Sequence, residues 1–192
     1  MTRELKDNAG LTDEEIDFYF GLLIHKQIRK KEYFLEPGDI CNNIGYVNRG
    51  CLSRYIIDKH SKEVILNFAI EDYWIGDLES LTLQKPTTFF VQALENCDLL
   101  LLSRENLLRA SEELPKFKKF HDDKIQRNHY YTIKRLSFAK SATPEEKYLS
   151  LLKEKPQFFE RIPLHYIASY LGIEPESLSR LRKRIVLNSK NS

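Results

Sequence analysis

The sequence predicts an α+β chain: an antiparallel sandwich or roll comes first, a long helix follows, and a helix-turn-helix stands last. Three observations predict it. Short segments of β period, separated by turn signals, run from about Ile28 to Ser103, the pattern of an antiparallel sandwich or roll. A basic helical stretch then runs from Lys116 to about Ala139. Finally, residues 163–185 hold two amphipathic helical patterns on either side of Gly172, with small, turn and apolar residues falling where a helix-turn-helix needs them.

Each element has its own signal. Thr12 and Glu15 form a capping box ahead of Ile16, Phe18, Tyr19 and Phe20, so a short helix opens the fold. Glu32–Leu35 runs into Pro37-Gly38-Asp39, a turn in which proline fixes φ and glycine relieves it. Ile44–Val47 leads to the turn Asn48-Arg49-Gly50, and Cys51–Ile57 follows. After the polar connection Asp58-Lys59-His60-Ser61, the segments Glu63–Ile70 and Phe89–Leu94 resume the β pattern, and Leu99–Leu102 reads as a buried strand. Arg104–Ala110 is a short helix. The long helix carries Lys116, Lys118, Lys119, Lys124, Arg127, Lys134 and Arg135. Its apolar residues Phe117, Phe120, Ile125, Tyr131 and Leu136 keep no strict heptad, which leaves a paired-helix seam open rather than required. Ser141-Ala142-Thr143-Pro144 breaks the chain, and Thr143 with Glu146 makes a second capping box. Domains are therefore placed at 1–115, 116–140 and 141–192.

In the last segment Ile167 and Leu171 give the first helix an apolar stripe, and Ala168 is small enough for a second helix to approach. Gly172 sits where the turn needs a positive φ. Pro175 suits the first turn of the next helix, whose missing N–H costs nothing there. Leu178, Leu181 and Ile185 must face inward, while Glu176, Ser179, Arg180 and Lys183 recur on the other side. An αα-hairpin with a merely solvated charged face is the plain alternative. Charge favours a helix-turn-helix that enters a DNA groove: from Arg161 onward six basic residues (Arg161, Arg180, Arg182, Lys183, Arg184, Lys190) stand against Glu174 and Glu176, a local +4 in a chain of +2.

Composition bounds the rest. The 192 residues are 42% hydrophobic and 30% charged, those of a soluble globular chain with a real core. No apolar run approaches the ~20 residues of a membrane span, and the polar stretch Met1–Gly10 lacks the apolar segment of a secretory signal. A cytoplasmic protein without a membrane partner is expected. Cys41, Cys51 and Cys97 are an odd number without a CxxC pair, so they read as small core residues. The five histidines are scattered, and no metal site is expected. No glycine-rich phosphate loop, nucleophile elbow or metalloprotease motif occurs, so no catalytic residues and no enzyme activity are expected.

This order of elements resembles the Crp/Fnr family of bacterial transcription regulators. Pro37-Gly38-Asp39 and Asn48-Arg49-Gly50 look like the family's roll turns, and Ile75-Gly76-Asp77-Leu78 like the start of its ligand cassette. Ala168-Ser169-Tyr170-Leu171-Gly172 and Glu176-Ser177-Leu178-Ser179-Arg180 look like its DNA motif; the Glu-x-x-Ser-Arg pattern is kept residue for residue. The resemblance implies a jelly-roll-like β-roll sensor similar to cyclic-nucleotide-binding domains, a long dimerisation helix, and a C-terminal winged-helix-like reader. Because the sequence stops at Ser192, the wing is expected to be short or missing.

The same resemblance implies the partners: double-stranded DNA with a palindromic operator, a second copy of the chain, and RNA polymerase. It also implies the site residues. Arg180 presents two parallel donors to guanine, Glu176 accepts from cytosine, and Ser177 and Ser179 lie beside them. Arg182, Lys183 and Arg184 would neutralise phosphates.

In the sensor half the sequence departs from the family. The ligand pocket would be built by Trp74, Gly76, Asp77, Leu78, Thr87 and Thr88, but where cyclic-nucleotide binders carry an arginine the chain reads Lys85-Pro86-Thr87-Thr88. A buried phosphate without its guanidinium is poorly compensated. Cyclic AMP is therefore not expected as the effector, no cofactor is expected, and Trp74 with the neighbouring leucines is expected to fill the roll's interior. The alternative function is a ligand-binding or protein-interaction module of the same fold that no longer reads DNA.

Overall fold

The computed structural model describes the backbone of residues 1–190 and the side chains of residues 1–185. The side chain of Lys190, and anything in the place of a wing after it, lie outside the described residues. Packing divides the chain into two compact units. One holds Met1–Ile56 and Asn67–His129; the other holds Ile57–Leu66 and everything from Tyr130 on.

The first unit opens with α1 (Thr2–Ala9) and α2 (Asp13–Gly21), followed by β1 (Ile24–Ile28), β2 (Tyr33–Leu35), β3 (Asn43–Arg49), β4 (Leu52–Ile57), β5 (Glu63–Ala69) and β6 (Trp74–Ile75). Then come α3 (Leu78–Leu83), β7 (Phe90–Ala93), β8 (Cys97–Ser103), α4 (Arg104–Glu113) and the start of α5 (Pro115–Ser141). The strands make two four-stranded sheets, β1-β8-β3-β6 and β2-β7-β4-β5. Sequence neighbours are rarely sheet neighbours, the crossed connectivity of a jelly roll. Antiparallel register pairs Val47 with Leu99 in one sheet and Arg54 with Val91 in the other.

Alternation along the strands sends Leu35, Leu52, Val91, Leu99 and Ile75 inward, where Leu81 of α3 joins them in one buried cluster. Cys41, Cys51 and Cys97 are free thiols buried in the same roll, as their reading as small core residues requires. The turn after β3 needs glycine outright. Gly50 has φ +110°, and a Cβ there would sit 2.6 Å from Cys97 Sγ and 2.8 Å from the Asn96 carbonyl oxygen.

On the outer face of the roll, α1, α2, α4 and the first turns of α5 bury Leu5, Ile16, Tyr19, Leu22, Leu102, Ala110 and Phe117 together, with the Tyr19 and Phe117 rings 4.8 Å apart. The expected capping box holds α2: the Glu15 amide donates to Thr12 Oγ1 at 3.2 Å and the Thr12 amide to Glu15 Oε2 at 2.7 Å. The strand region begins at Ile24 rather than near Ile28, and α1, β1, β6 and α3 had no separate signal in the sequence reading.

The second unit contains the tip of the β4–β5 hairpin, the last part of α5, and α6 (Pro144–Glu154), α7 (Pro156–Arg161), α8 (Leu164–Leu171) and α9 (Pro175–Lys190). The second capping box forms as read, with the Glu146 amide donating to Thr143 Oγ1 at 3.2 Å. The core comprises Tyr148, Leu151, Phe158, Ile162, Ile167, Ala168, Ile173, Leu178 and Leu181.

Candidate nucleic-acid interface and candidate ligand cassette

Helices α8 and α9 are joined by a tight turn built by glycine. Gly172 has φ +66°. Its amide donates to the Ser169 carbonyl at 3.0 Å, and the next amide, of Ile173, donates to the Ala168 carbonyl at 2.9 Å. These two bonds close the last turn of α8 as a Schellman cap, and the buried Ile173 supplies its apolar contact. Pro175 starts α9, and Glu176 places a carboxylate in its first turn, where the helix dipole favours negative charge.

Along α9 the predicted division of faces is present. Leu178 and Leu181 are buried and Ile185 is half-buried; Glu176, Ser177, Arg180, Lys183 and Arg184 are exposed, and Ser179 and Arg182 lie at the border. The exposed face therefore offers one carboxylate, hydroxyls and a run of cations to solvent. Within it, Arg180 Nη2 reaches Ser177 Oγ at a long 3.4 Å, a weak bond that leaves the guanidinium's other donors for an outside acceptor. Arg184 differs from its neighbours because its guanidinium pairs with Glu145 of α6. A phosphate contact by Arg184 would compete with that pair.

The cassette of the roll is closed upon itself. Asp77 is buried and caps α3: its Oδ1 accepts from the amides of Glu79 and Ser80 at 3.0 and 3.2 Å, and its Oδ2 accepts from the Thr87 hydroxyl at 2.7 Å. Thr87, equally buried, accepts in turn from the Phe89 amide at 3.1 Å. Ser80 accepts from the Cys41 amide at 2.9 Å and donates to the Lys85 carbonyl. The position where an anion would meet the α3 amides is thus held by the chain's own carboxylate.

Of the six predicted pocket residues, Gly76, Asp77 and Thr87 come together, while Leu78 and Thr88 point to solvent. Trp74 requires a correction. It does not fill the roll's interior: on the two-residue β6 its neighbour Ile75 points inward, so Trp74 points outward, edge-on to Tyr46 at 5.4 Å and against the cluster of the N-terminal helices.

One residue outside the six predicted for the pocket reaches the cassette. Arg54 of β4 donates from Nη1 to the Gly76 carbonyl at 3.1 Å, with its guanidinium 5.1 Å from the Phe89 ring centroid. The signal was available, since Arg54 is the one charged residue in the strand Leu52–Ile57, and a charge in a strand of this kind needs a partner. Burial raises the Cys97 thiol to about 11 and also raises Cys41, so neither is a ready thiolate. Among the described residues no three His, Cys, Asp or Glu side chains gather into a metal site, and no helix is long and apolar enough to cross a membrane.

Residues 25–113 match the family model of the cyclic nucleotide-binding domain. That segment runs from β1 to the end of α4 and includes the self-capped cassette. No curated protein sequence matches the chain closely enough to count as a relative.

Among solved structures, the c-di-GMP responsive global regulator CLP of Xanthomonas campestris superposes with a TM-score of 0.73 at 14% identity, covering 93% of each chain. FixK2 from Bradyrhizobium japonicum gives 0.72 at 15% identity, over 87% of this chain and 86% of that one. The catabolite activator protein of Thermus thermophilus gives 0.59 at 20% identity, over 94% and 86%. At these identities the likeness is one of fold: a jelly-roll-like antiparallel domain followed by helices, as in the catabolite activator protein.

Proposed function

We propose that the chain is a sequence-specific DNA-binding transcription regulator of Crp/Fnr type that works as a homodimer and does not take cyclic AMP as its effector. In this reading residues 1–115 are the sensor, 116–140 the dimerisation helix and 141–192 the helix-turn-helix reader. The single observation that carries it is the two-faced α9: Leu178 and Leu181 are buried while Glu176, Ser177, Arg180 and Lys183 stand exposed behind a glycine-built turn. Arg180 reads guanine, Glu176 accepts from cytosine, Ser177 and Ser179 touch base edges or phosphates, and Arg182, Lys183 and Arg184 hold the backbone.

A second copy is supported by the part of α5 in the second unit, where Ile133 and Leu136, three residues apart on one side of the helix, are 49% and 56% exposed and would be covered by a partner helix. The case against cyclic AMP is Asp77: a phosphate arriving at α3 would meet a carboxylate that already holds both amides and the Thr87 hydroxyl, and like charges at such range repel.

Selection of bound sequences from a random duplex pool, with purified protein and no added nucleotide, tests the reading. A palindromic consensus with a G·C pair in each half-site is the expected result. No enrichment, together with binding that does not weaken as salt rises, overturns it.

A further inference from the structure

Strand β5 is the outer strand of its sheet, with β4 as its one neighbour. The outward backbone groups of such a strand have no ladder partner. At the hairpin tip two of them, the carbonyl of Glu63 and the amide of Ile65, meet a single atom of α8. Ser169 Oγ donates to Glu63 O at 2.9 Å and accepts from the Ile65 amide at 3.0 Å. A helical serine ordinarily bonds back to its own helix; this one is spent on another segment.

The next residue of α8 is held from a different side. Arg135 of α5 donates through Nη1 to Tyr170 Oη and through Nη2 to the Leu66 carbonyl, both at 2.8 Å, with its guanidinium 5.0 Å from the Tyr170 ring centroid. Arg135 is half-buried although residues 131–134 and 136–140 around it are exposed. All these groups belong to the second compact unit.

We propose that Ser169 and Arg135 are positioning residues: they lock α8, and through the Gly172 turn the DNA-reading α9, to the tip of the β4–β5 hairpin, which sets how the reader is presented to DNA. This rests on the DNA-reading function proposed above. The tip is thus tied to α8 by two hydrogen bonds from Ser169 to strand backbone, and to α5 by a third from Arg135, whose guanidinium also holds Tyr170 of α8. Neither residue touches a base in this scheme; each acts through the helix it holds.

The test uses the full chain and the duplex enriched by the wild-type protein. Ser169→Ala and Arg135→Met should speed amide exchange in residues 63–66 and weaken binding of that duplex about five-fold or more, the lower range of couplings between sites. The selected consensus should not change, and Ser169→Thr, which keeps the hydroxyl, should restore both readouts. Faster exchange with unchanged affinity overturns the positioning role and leaves DNA reading intact. Arg180→Ala marks the other case, because it should alter the consensus while hairpin exchange stays at the wild-type rate. A wild-type protein that enriches no duplex, and whose binding does not weaken as salt rises, overturns both proposals.

Discussion

The Thr87 hydroxyl donates to the Asp77 carboxylate across 2.7 Å, and both side chains are buried, 3% and 6% exposed. This pair turns the mouth of a cyclic-nucleotide-type cassette into a closed polar knot. Thr87→Val would keep the shape and remove the donor, leaving a buried carboxylate oxygen unmatched. A loss of about 1–3 kcal/mol in urea unfolding is expected, and calorimetry should detect no binding of cyclic AMP by either protein.

Arg180→Ala should cost about 1–3 kcal/mol at one base pair of the selected site and relax the preference there, with binding to unrelated duplexes nearly unchanged. Competition between the consensus and single-substitution duplexes measures it. Equal weakening on every duplex would reassign Arg180 to phosphate contact.

Leu178 lies on the opposite side of the same helix and is fully buried. Leu178→Ala should destabilise the second unit by about 2–5 kcal/mol. The signature is a lowered melting transition, with consensus unchanged at temperatures where the protein stays folded. The two substitutions on α9 therefore separate reading from packing.

Gly172 tests the turn. Its φ of +66° disfavours any L side chain, although a Cβ there would touch nothing within 4 Å. Gly172→Ala should thus cost only the backbone term, about 1–2 kcal/mol. Gly50→Ala meets the Cys97 sulfur and a backbone carbonyl as well and should be the more damaging of the two. Equal melting shifts would contradict this ranking.

The buried thiols set a pH dependence. Cys97 is raised to about 11 in the folded chain, by burial first. The unfolded chain releases that proton near the ordinary thiol value of about 8.5. Above that pH the unfolded state holds fewer protons than the folded one, so stability falls as pH rises from there toward 11 and is flat, for this group, below. Urea midpoints at pH 7, 9 and 10 should decline in that order, and Cys97→Ala should reduce the decline.

Much of this was legible in the sequence where a local signal and a tertiary demand coincided. The Thr12–Glu15 and Thr143–Glu146 boxes, the Gly172 turn and the inward Leu178 and Leu181 are each fixed within one or two helical turns. The misses share a cause. In β1 four of five residues are exposed, so no apolar alternation marks it, and α1 buries Leu5 alone. The two-residue β6 is too short to show which face Trp74 takes. Arg54 and Ser169 find partners 22 and more than 100 residues away, and neither pairing leaves any trace in local spacing.

The hydroxyl of Ser169 has an effect beyond recognition. An open strand edge is a template on which another chain can add a strand. Here the vacancy at Glu63 and Ile65 is stoppered by one side chain from α8, so the fragment most exposed to sticking is not the whole protein but one cut short before that helix. Shortened versions that keep the hairpin and lose α8 would carry a raw edge, and their handling in solution would reflect the missing stopper more than any defect in the roll.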